Sequence, residues 1–403
     1  MNWEDIFANR MDRMQASEIR ELLKLLDQPD IISFAGGIPD PALFPVDAFQ
    51  NALSEALSPT NSSAALQYSV SEGYAPLRDW IVGEMGKLGV PCTRDNVLIT
   101  SGSQQALDYL GKLLLSPGDT ALVTWPTYMG ALGAFNAYEP QYDRLIPGGN
   151  RSPQDYAKTA KDAGGQVKFA YASVDFANPT GETLNRAARE NILDLADRLD
   201  IAVIEDSAYQ SLRYDGAIIP PMLALEIARK GSIEACRTLY CGSFSKTLAP
   251  GLRVGWVCGA ASVISRMVLL KQASDLHSAT LNQMAINTVA RDLFDTHTAK
   301  LRQTYVARRD AMLAALQTHM PDGVSWTHPE GGMFVWVTLP KHMDGGALLR
   351  HALANQRLAF VPGQAFYADR SGANSLRLSF SMADDAQIGE GMMRLGKAIR
   401  ALA

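Results

Sequence analysis

Four short polar stretches combine residue types that can do chemistry. Thr100-Ser101-Gly102-Ser103-Gln104-Gln105-Ala106 sets hydroxyls and amides between an apolar run and a helical pattern. Such a turn offers free backbone N–H groups and the positive end of a helix dipole to an anion. Asn178-Pro179-Thr180-Gly181 reads as a tight loop carrying an amide. Glu205-Asp206-Ser207-Ala208-Tyr209 ends an apolar strand on a carboxylate, with a phenol three residues later. A carboxylate there is costly unless a cation meets it. The last stretch runs from Gly242 to Arg253 and holds Ser243, Ser245 and Lys246, with Arg253 seven residues after the lysine. A lysine among small polar residues at a strand end suggests a nucleophilic amine. The arginine and the serines suit a phosphate.

Each stretch has a plainer reading when taken singly: a Ser/Thr helix cap, a turn, a capping Asp, an exposed loop lysine. Together they supply a phosphate cup, an amide, a carboxylate, a phenol and an amine. Pyridoxal 5′-phosphate needs all five. Its aldehyde forms a Schiff base with lysine, and its ring nitrogen needs a carboxylate partner to act as an electron sink.

The elements that must position these groups follow from the apolar pattern. Short apolar runs at 97–100, 121–125, 168–174, 201–206, 238–243 and 254–259 alternate with amphipathic segments such as 103–115 and 183–199. This alternation predicts an α/β domain with a mostly parallel sheet covered by helices on both faces. The closeness of the last two runs allows one antiparallel strand. All four polar stretches then fall at strand C-terminal ends, the edge where open α/β sheets bind ligands. Helices are expected over 15–28, capped by Ser17 and carrying Ile19, Leu22, Leu23, Leu25 and Leu26, and over 47–58. Residues 284–318 read as helix. Runs at 333–339, 357–363 and 375–381 suggest a smaller α+β domain. The expected division is a large domain over 46–290, and a small domain of 1–45 with 291–403.

The chain's 403 residues can bury a large core without disulfide or metal. A net charge of −5 leaves no basic surplus for nucleic acid or an anionic membrane. Cys92, Cys236, Cys241 and Cys258 form no CxxC pair and have no His cluster beside them, so no metal site is expected. No secretory leader and no membrane-length apolar run is read, so the expected location is the cytoplasm.

With these residues in view, the sequence resembles the class I/II aminotransferases of pyridoxal-phosphate fold type I over nearly its whole length. It is most similar to their 2-aminoadipate/kynurenine branch. The segments that carry the likeness include QASEIRELLKLL, ISFAGGIPDPALFP, LQYSVSEGYAPLRDW, ITSGSQQALD, NPTG, GSFSKTLAPGLRVGW, LHSATLNQM and LRLSFS. The resemblance implies that Lys246 links to the cofactor and then shuttles a proton, and that Asp206 pairs with the ring nitrogen. It implies that Asn178 and Tyr209 bond the phenolate oxygen, and that Tyr128 stacks on the ring. Ser103, Gln104, Ser243, Ser245 and Arg253 would hold the phosphate, and Tyr68 would reach the phosphate of a neighbouring subunit, which makes the homodimer part of the site. Arg377, with Asn178 and the backbone at Gly37, would clamp the substrate α-carboxylate, which a planar guanidinium matches bidentately. In the aminoadipate branch an arginine at the position of Arg20 reads an acidic side chain. Here a solvated helix face is the alternative for Arg20.

The chain departs from the branch at Val174-Asp175-Phe176-Ala177, before NPTG, and at Ser207. These changes bear on substrate range, because Asp175 would repel an acidic side chain if it faced the pocket. The expected activity is ping-pong amino transfer from an L-α-amino acid of 2-aminoadipate, glutamate, aromatic or branched type to a 2-oxo acid such as 2-oxoglutarate. A β-lyase on the same fold is the first rival. A regulatory protein that binds the cofactor is the second, but it would carry a DNA-binding domain ahead of Gly36-Gly37 and a basic surface.

Overall fold

A computed structural model of the chain describes residues 3–14 and 30–402. The expected helix over 15–28, Arg20 with it, lies outside the described residues. Strand β1 (Ile32–Ser33) is short and pairs away from the main sheet. The central sheet holds β2 (Val97–Thr100), β3 (Thr120–Thr124), β4 (Gln141–Leu145), β5 (Val167–Ser173), β6 (Ala202–Asp206), β7 (Thr238–Ser243) and β8 (Gly255–Cys258). Their order is β2-β8-β7-β6-β5-β3-β4. Every pair is parallel except those made by β8, which runs against both β2 and β7. The antiparallel strand allowed by the sequence is therefore β8.

The continuous apolar runs have a direct cause. Every residue of β2, β7 and β8 is buried, as expected where both faces of a sheet are covered. The helices Ser103–Leu114, Met129–Asn136 and Ala261–Gln272 pack one face through Leu107, Phe135 and Met267 against Leu98, Phe169 and Val257. On the other face Ile192 and Leu195 of Arg186–Leu199 meet Ala170 and Val203. Edge strand β4 buries only Leu145. Its polar sequence, QYDRL, gives no apolar run to read.

A second sheet is formed by β9 (Ser325–Trp326), β10 (Phe334–Thr338), β12 (Val361–Pro362) and β13 (Ser375–Ser379), antiparallel and ordered β12-β13-β10-β9. The run expected as one strand over 357–363 is two. β11 (Leu358–Ala359) pairs with β1 and β12 pairs with β13, with Phe360 between them buried. The helix Thr280–His319 joins both regions. Its Ala285, Ile286 and Val289 lie in the core with Ile99 and Trp256, while its Leu301, Tyr305 and Met312 lie in the core with Phe334 and Leu376. Among the described residues no helix is long and apolar enough to cross a membrane.

Candidate active site

The ends of four strands, β2, β5, β6 and β7, deliver the four polar stretches to one edge. After β2, Gly102 adopts φ +77, a left-handed conformation that favours glycine. A Cβ there would come within 2.6 Å of Arg253 Nη2. The turn can therefore close on the guanidinium only as glycine. Arg253 Nη2 donates to the Ser101 carbonyl at 3.4 Å and Nη1 donates to Ser245 Oγ at 3.4 Å. The turns after β2 and β7 thus share one cation. Ser103 opens the helix Ser103–Leu114, whose first N–H groups have no side-chain cap. Ser243 Oγ accepts the Ser245 N–H at 3.1 Å. Gln104 Nε2 donates to Gly130 O at 2.7 Å, tying this turn to the segment that carries Tyr128. The result is an anion cup of free N–H groups, hydroxyls and a guanidinium.

Lys246, partly buried, donates from Nζ to the Gly37 carbonyl at 2.9 Å. It lies 5.7 Å from the centre of the Tyr209 ring. Desolvation lowers its pKa to about 8. Like charges on Arg377 and Arg253 act in the same direction, and Asp206 opposes them. The surroundings thus favour the neutral, nucleophilic amine.

Asp206 is buried at the end of β6. Its Oδ2 accepts from Tyr171 OH at 2.7 Å, while Oδ1 is buried with no hydrogen-bond partner among the described residues. Burial raises its pKa, opposed by the Tyr171 hydroxyl, the Ala208 N–H and the charge of Lys246. A buried, unbonded carboxylate oxygen costs about 1–3 kcal/mol or more, and Oδ1 is placed to receive a donor from outside the chain.

Arg377, 1% exposed, stands in β13 opposite Trp336 and Val361. Its Nη1 donates to Asn178 Oδ1 at 2.8 Å and Nη2 donates to the Ala35 carbonyl at 2.7 Å. Its Nε has no hydrogen-bond partner among the described residues. The guanidinium sits 4.3 Å from the Phe334 ring centre and 5.1 Å from that of Phe366. Burial lowers its pKa to about 10. Such a cation calls for an anion. Tyr209 packs edge-on against Phe334 at 5.6 Å. Its hydroxyl is tied to Asn178, and burial pushes its pKa up.

Lys246, Asp206, Tyr209, Asn178, Gly37 and Arg377 therefore meet, with the cup of Ser103, Ser243, Ser245 and Arg253 beside them. Tyr128, ahead of Met129–Asn136, is close enough to couple electrostatically to Tyr209 and Arg377. Tyr68 is 78% exposed, and its ring meets that of His277 edge-on at 6.0 Å. Asp175 does not face this pocket. It is buried, and its Oδ1 accepts from Arg189 at 2.7 Å and Arg213 at 3.1 Å. Its repulsion of acidic substrates is thereby removed.

Sequence reasoning missed Tyr171, whose signal was a phenol inside an apolar strand, a group that needs a buried partner. It also missed the fate of Glu205, which points to the opposite side of β6 from Asp206. Glu205 caps Met222–Lys230 by accepting from Met222 N at 2.8 Å and Leu223 N at 3.0 Å. Among the described residues no three His, Cys, Asp or Glu side chains are grouped to hold a metal.

A family model for aminotransferase class I and II matches residues 30–395. An aromatic-amino-acid aminotransferase of Thermococcus litoralis is 39% identical, over 99% of this chain and 95% of its own. The crystal structure of LysN, an α-aminoadipate aminotransferase of Thermus thermophilus complexed with N-(5′-phosphopyridoxyl)-L-leucine, superposes with a TM-score of 0.89. It is 38% identical and covers 100% of this chain and 99% of that one. A Pyrococcus horikoshii kynurenine aminotransferase in complex with PMP gives a TM-score of 0.90 at 41% identity, over 100% and 98% of the two chains.

Proposed function

The chain belongs to the class I and II aminotransferases and depends on pyridoxal 5′-phosphate, and from that premise we propose that its Lys246 pocket moves amino groups between L-α-amino acids and 2-oxo acids. The observation that carries the residue assignment is the meeting of three groups: a partly desolvated amine, a buried carboxylate oxygen without a partner, and a buried guanidinium with a free Nε. The cofactor fits them. Asp206 Oδ1 would take its ring N–H, Asn178 and Tyr209 would flank its phenolate oxygen, and Tyr128 would lie on its ring. Ser103, Gln104, Ser243, Ser245 and Arg253 would hold its phosphate. When bound, the ring supplies an electron sink for the charge left at the substrate Cα.

The chain's own groups do the rest. Arg377 and Asn178 bind and orient the substrate carboxylate, which fixes the Cα–H bond toward Lys246. The Lys246 amine, about half neutral at pH 8, takes that proton and would return it to the cofactor's C4′, on the far side of the linking nitrogen. The division into a domain of 46–290 and one of 1–45 with 291–403 allows the small domain to close on the site and exclude water. Its support is the helix Thr280–His319, which changes core partner between Ala290 and Leu301. Ala35 and Gly37, which touch Arg377 and Lys246, belong to the closing part.

The assembly is read as a homodimer with shared sites. Tyr68, Leu66 and Val70 together expose 78%, 70% and 59% of their surfaces, and Tyr68 would serve the partner's phosphate. Four free thiols suit the cytoplasm.

Donor choice is assigned to Arg20, which would anchor an acidic side chain. Absorbance spectra of the purified protein with single amino acids, without oxo acid, test the reading. Conversion of the visible cofactor band by 2-aminoadipate or glutamate ahead of aromatic and branched donors supports Arg20 as the anchor. Aromatic or branched donors winning assigns Arg20 to the surface. Pyruvate released without any oxo acid would point to the lyase instead.

A further inference from the structure

Lys271 is fully buried in the helix Ala261–Gln272, and the amino-transfer chemistry makes no use of it. Its ammonium donates to Gln105 Oε1 at 3.0 Å, to Asp275 Oδ1 and Oδ2 at 2.9 and 3.0 Å, and to Ser278 Oγ at 3.0 Å. These acceptors use all three N–H groups of a lysine. All three partners then reach the residue that opens the anion cup. Gln105 Oε1 also accepts the Ser101 N–H at 2.8 Å. The Ser101 hydroxyl lies 3.4 Å from Asp275 Oδ2 and 3.2 Å from Ser278 Oγ. Its carbonyl accepts from Arg253. Ser101 is thus held by its N–H, its hydroxyl and its C=O, and the next two residues are the Gly102–Ser103 turn.

The geometry points to Lys271 as a positioning residue for cofactor phosphate: it fixes Ser101 through Gln105, Asp275 and Ser278, and so sets the N–H groups of the turn and the seat of Arg253. This rests on the reading of that turn and Arg253 as the phosphate cup. The role is geometric rather than a matter of field, because the carboxylate of Asp275 in contact cancels most of the ammonium charge. Lys271 does not touch the anion. Gln105 Nε2 also donates to Asp275 Oδ2 at 2.7 Å, and Tyr109 OH donates to Asp275 Oδ1 at 3.3 Å; without Lys271 this group loses the ammonium that draws Gln105 Oε1, the carboxylate and Ser278 Oγ together beside Ser101.

The test compares two probes, pyridoxal 5′-phosphate and pyridoxal, titrated into the full-length protein stripped of cofactor. The readout is the ratio of their dissociation constants, which isolates the phosphate. Lys271→Met is expected to reduce the preference for the phosphorylated form by about tenfold, with pyridoxal affinity nearly unchanged. Gln105→Leu removes the shared acceptor without changing charge. It should give a loss of similar size, and it carries the test if Lys271→Met does not fold. Arg253→Met must reduce the same ratio by more. If Arg253→Met reduces it and neither other variant does, the role of Lys271 is overturned while the cup stands. If both probes weaken together in Lys271→Met and Gln105→Leu, Lys271 is only structural. If Arg253→Met leaves the ratio unchanged, the cup reading falls and this inference falls with it.

Discussion

Two lysines in this molecule show how one residue type is prepared for opposite tasks. Among the described residues Lys246 has one hydrogen bond, to the Gly37 carbonyl, and like charges on two arginines around it. Lys271, 25 residues on, is fully buried and saturated by a carboxylate, an amide oxygen and a hydroxyl. Desolvation pushes both amines toward neutrality, but at Lys271 the Asp275 carboxylate restrains the shift. An amine meant to react is left nearly unbonded, and one meant to hold a turn is given every partner it can use. The same contrast separates Asp206, with one oxygen unbonded, from Glu205, with both oxygens bonded to a helix N-terminus.

The largest expected effect tests the reactive side of this contrast. Lys246→Met should lower turnover by about 10⁴-fold or more, measured in single-turnover conversion of donor. A loss of less than about a hundredfold would make Lys246 another holding lysine. Next is Arg377→Met, which removes the carboxylate clamp and leaves Asn178 without its donor. It should reduce kcat/KM by about a hundredfold, while pyridoxal 5′-phosphate affinity changes little. Equal losses in both would show that Arg377 shapes the cofactor seat instead. Tyr171→Phe should lower kcat by about tenfold. It removes the hydroxyl that Asp206 Oδ2 accepts, which raises the Asp206 pKa further and shifts the absorbance of the bound cofactor. An unchanged spectrum would remove Tyr171 from the site.

Much of this arrangement is legible in the sequence. The apolar runs of the sheet declared themselves because their strands are covered on both faces, and their polar ends followed. Edge strand β4 did not, since a strand with only Leu145 buried has no run to show. The break of residues 357–363 into two strands was hidden because Phe360 continues the apolar pattern while the backbone changes partner. Asp175 was legible as a carboxylate near the site, but not its two arginine partners, which arrive from residues 189 and 213. Lys271 with Asp275 four residues on is the spacing of a surface helix pair. Only the fold shows that Gln105 and Ser278 close over it.

The smallest effects are in pH. The Lys246 amine is expected to lose its proton near pH 8 rather than near 10.5. Capture of pyridoxal 5′-phosphate by the stripped protein should therefore quicken up to about pH 8 and level off above it. A rise continuing to pH 10 would mean an ordinary amine. Linkage gives the sign for stability. Between about pH 8 and 10.5 the unfolded chain binds more protons at this lysine than the folded one, so Lys246 makes stability rise with pH over that window. Lys246→Met should flatten the rise in Tm of the stripped protein there, and Lys271→Met should lower Tm outright.

The most direct measurement is reduction of the purified holoprotein with borohydride, followed by digestion and mass spectrometry of every lysine peptide. The account predicts one phosphopyridoxyl group per chain, on Lys246, with Lys271 unmodified. The cofactor on Lys271 or any other lysine, or on none, would contradict it.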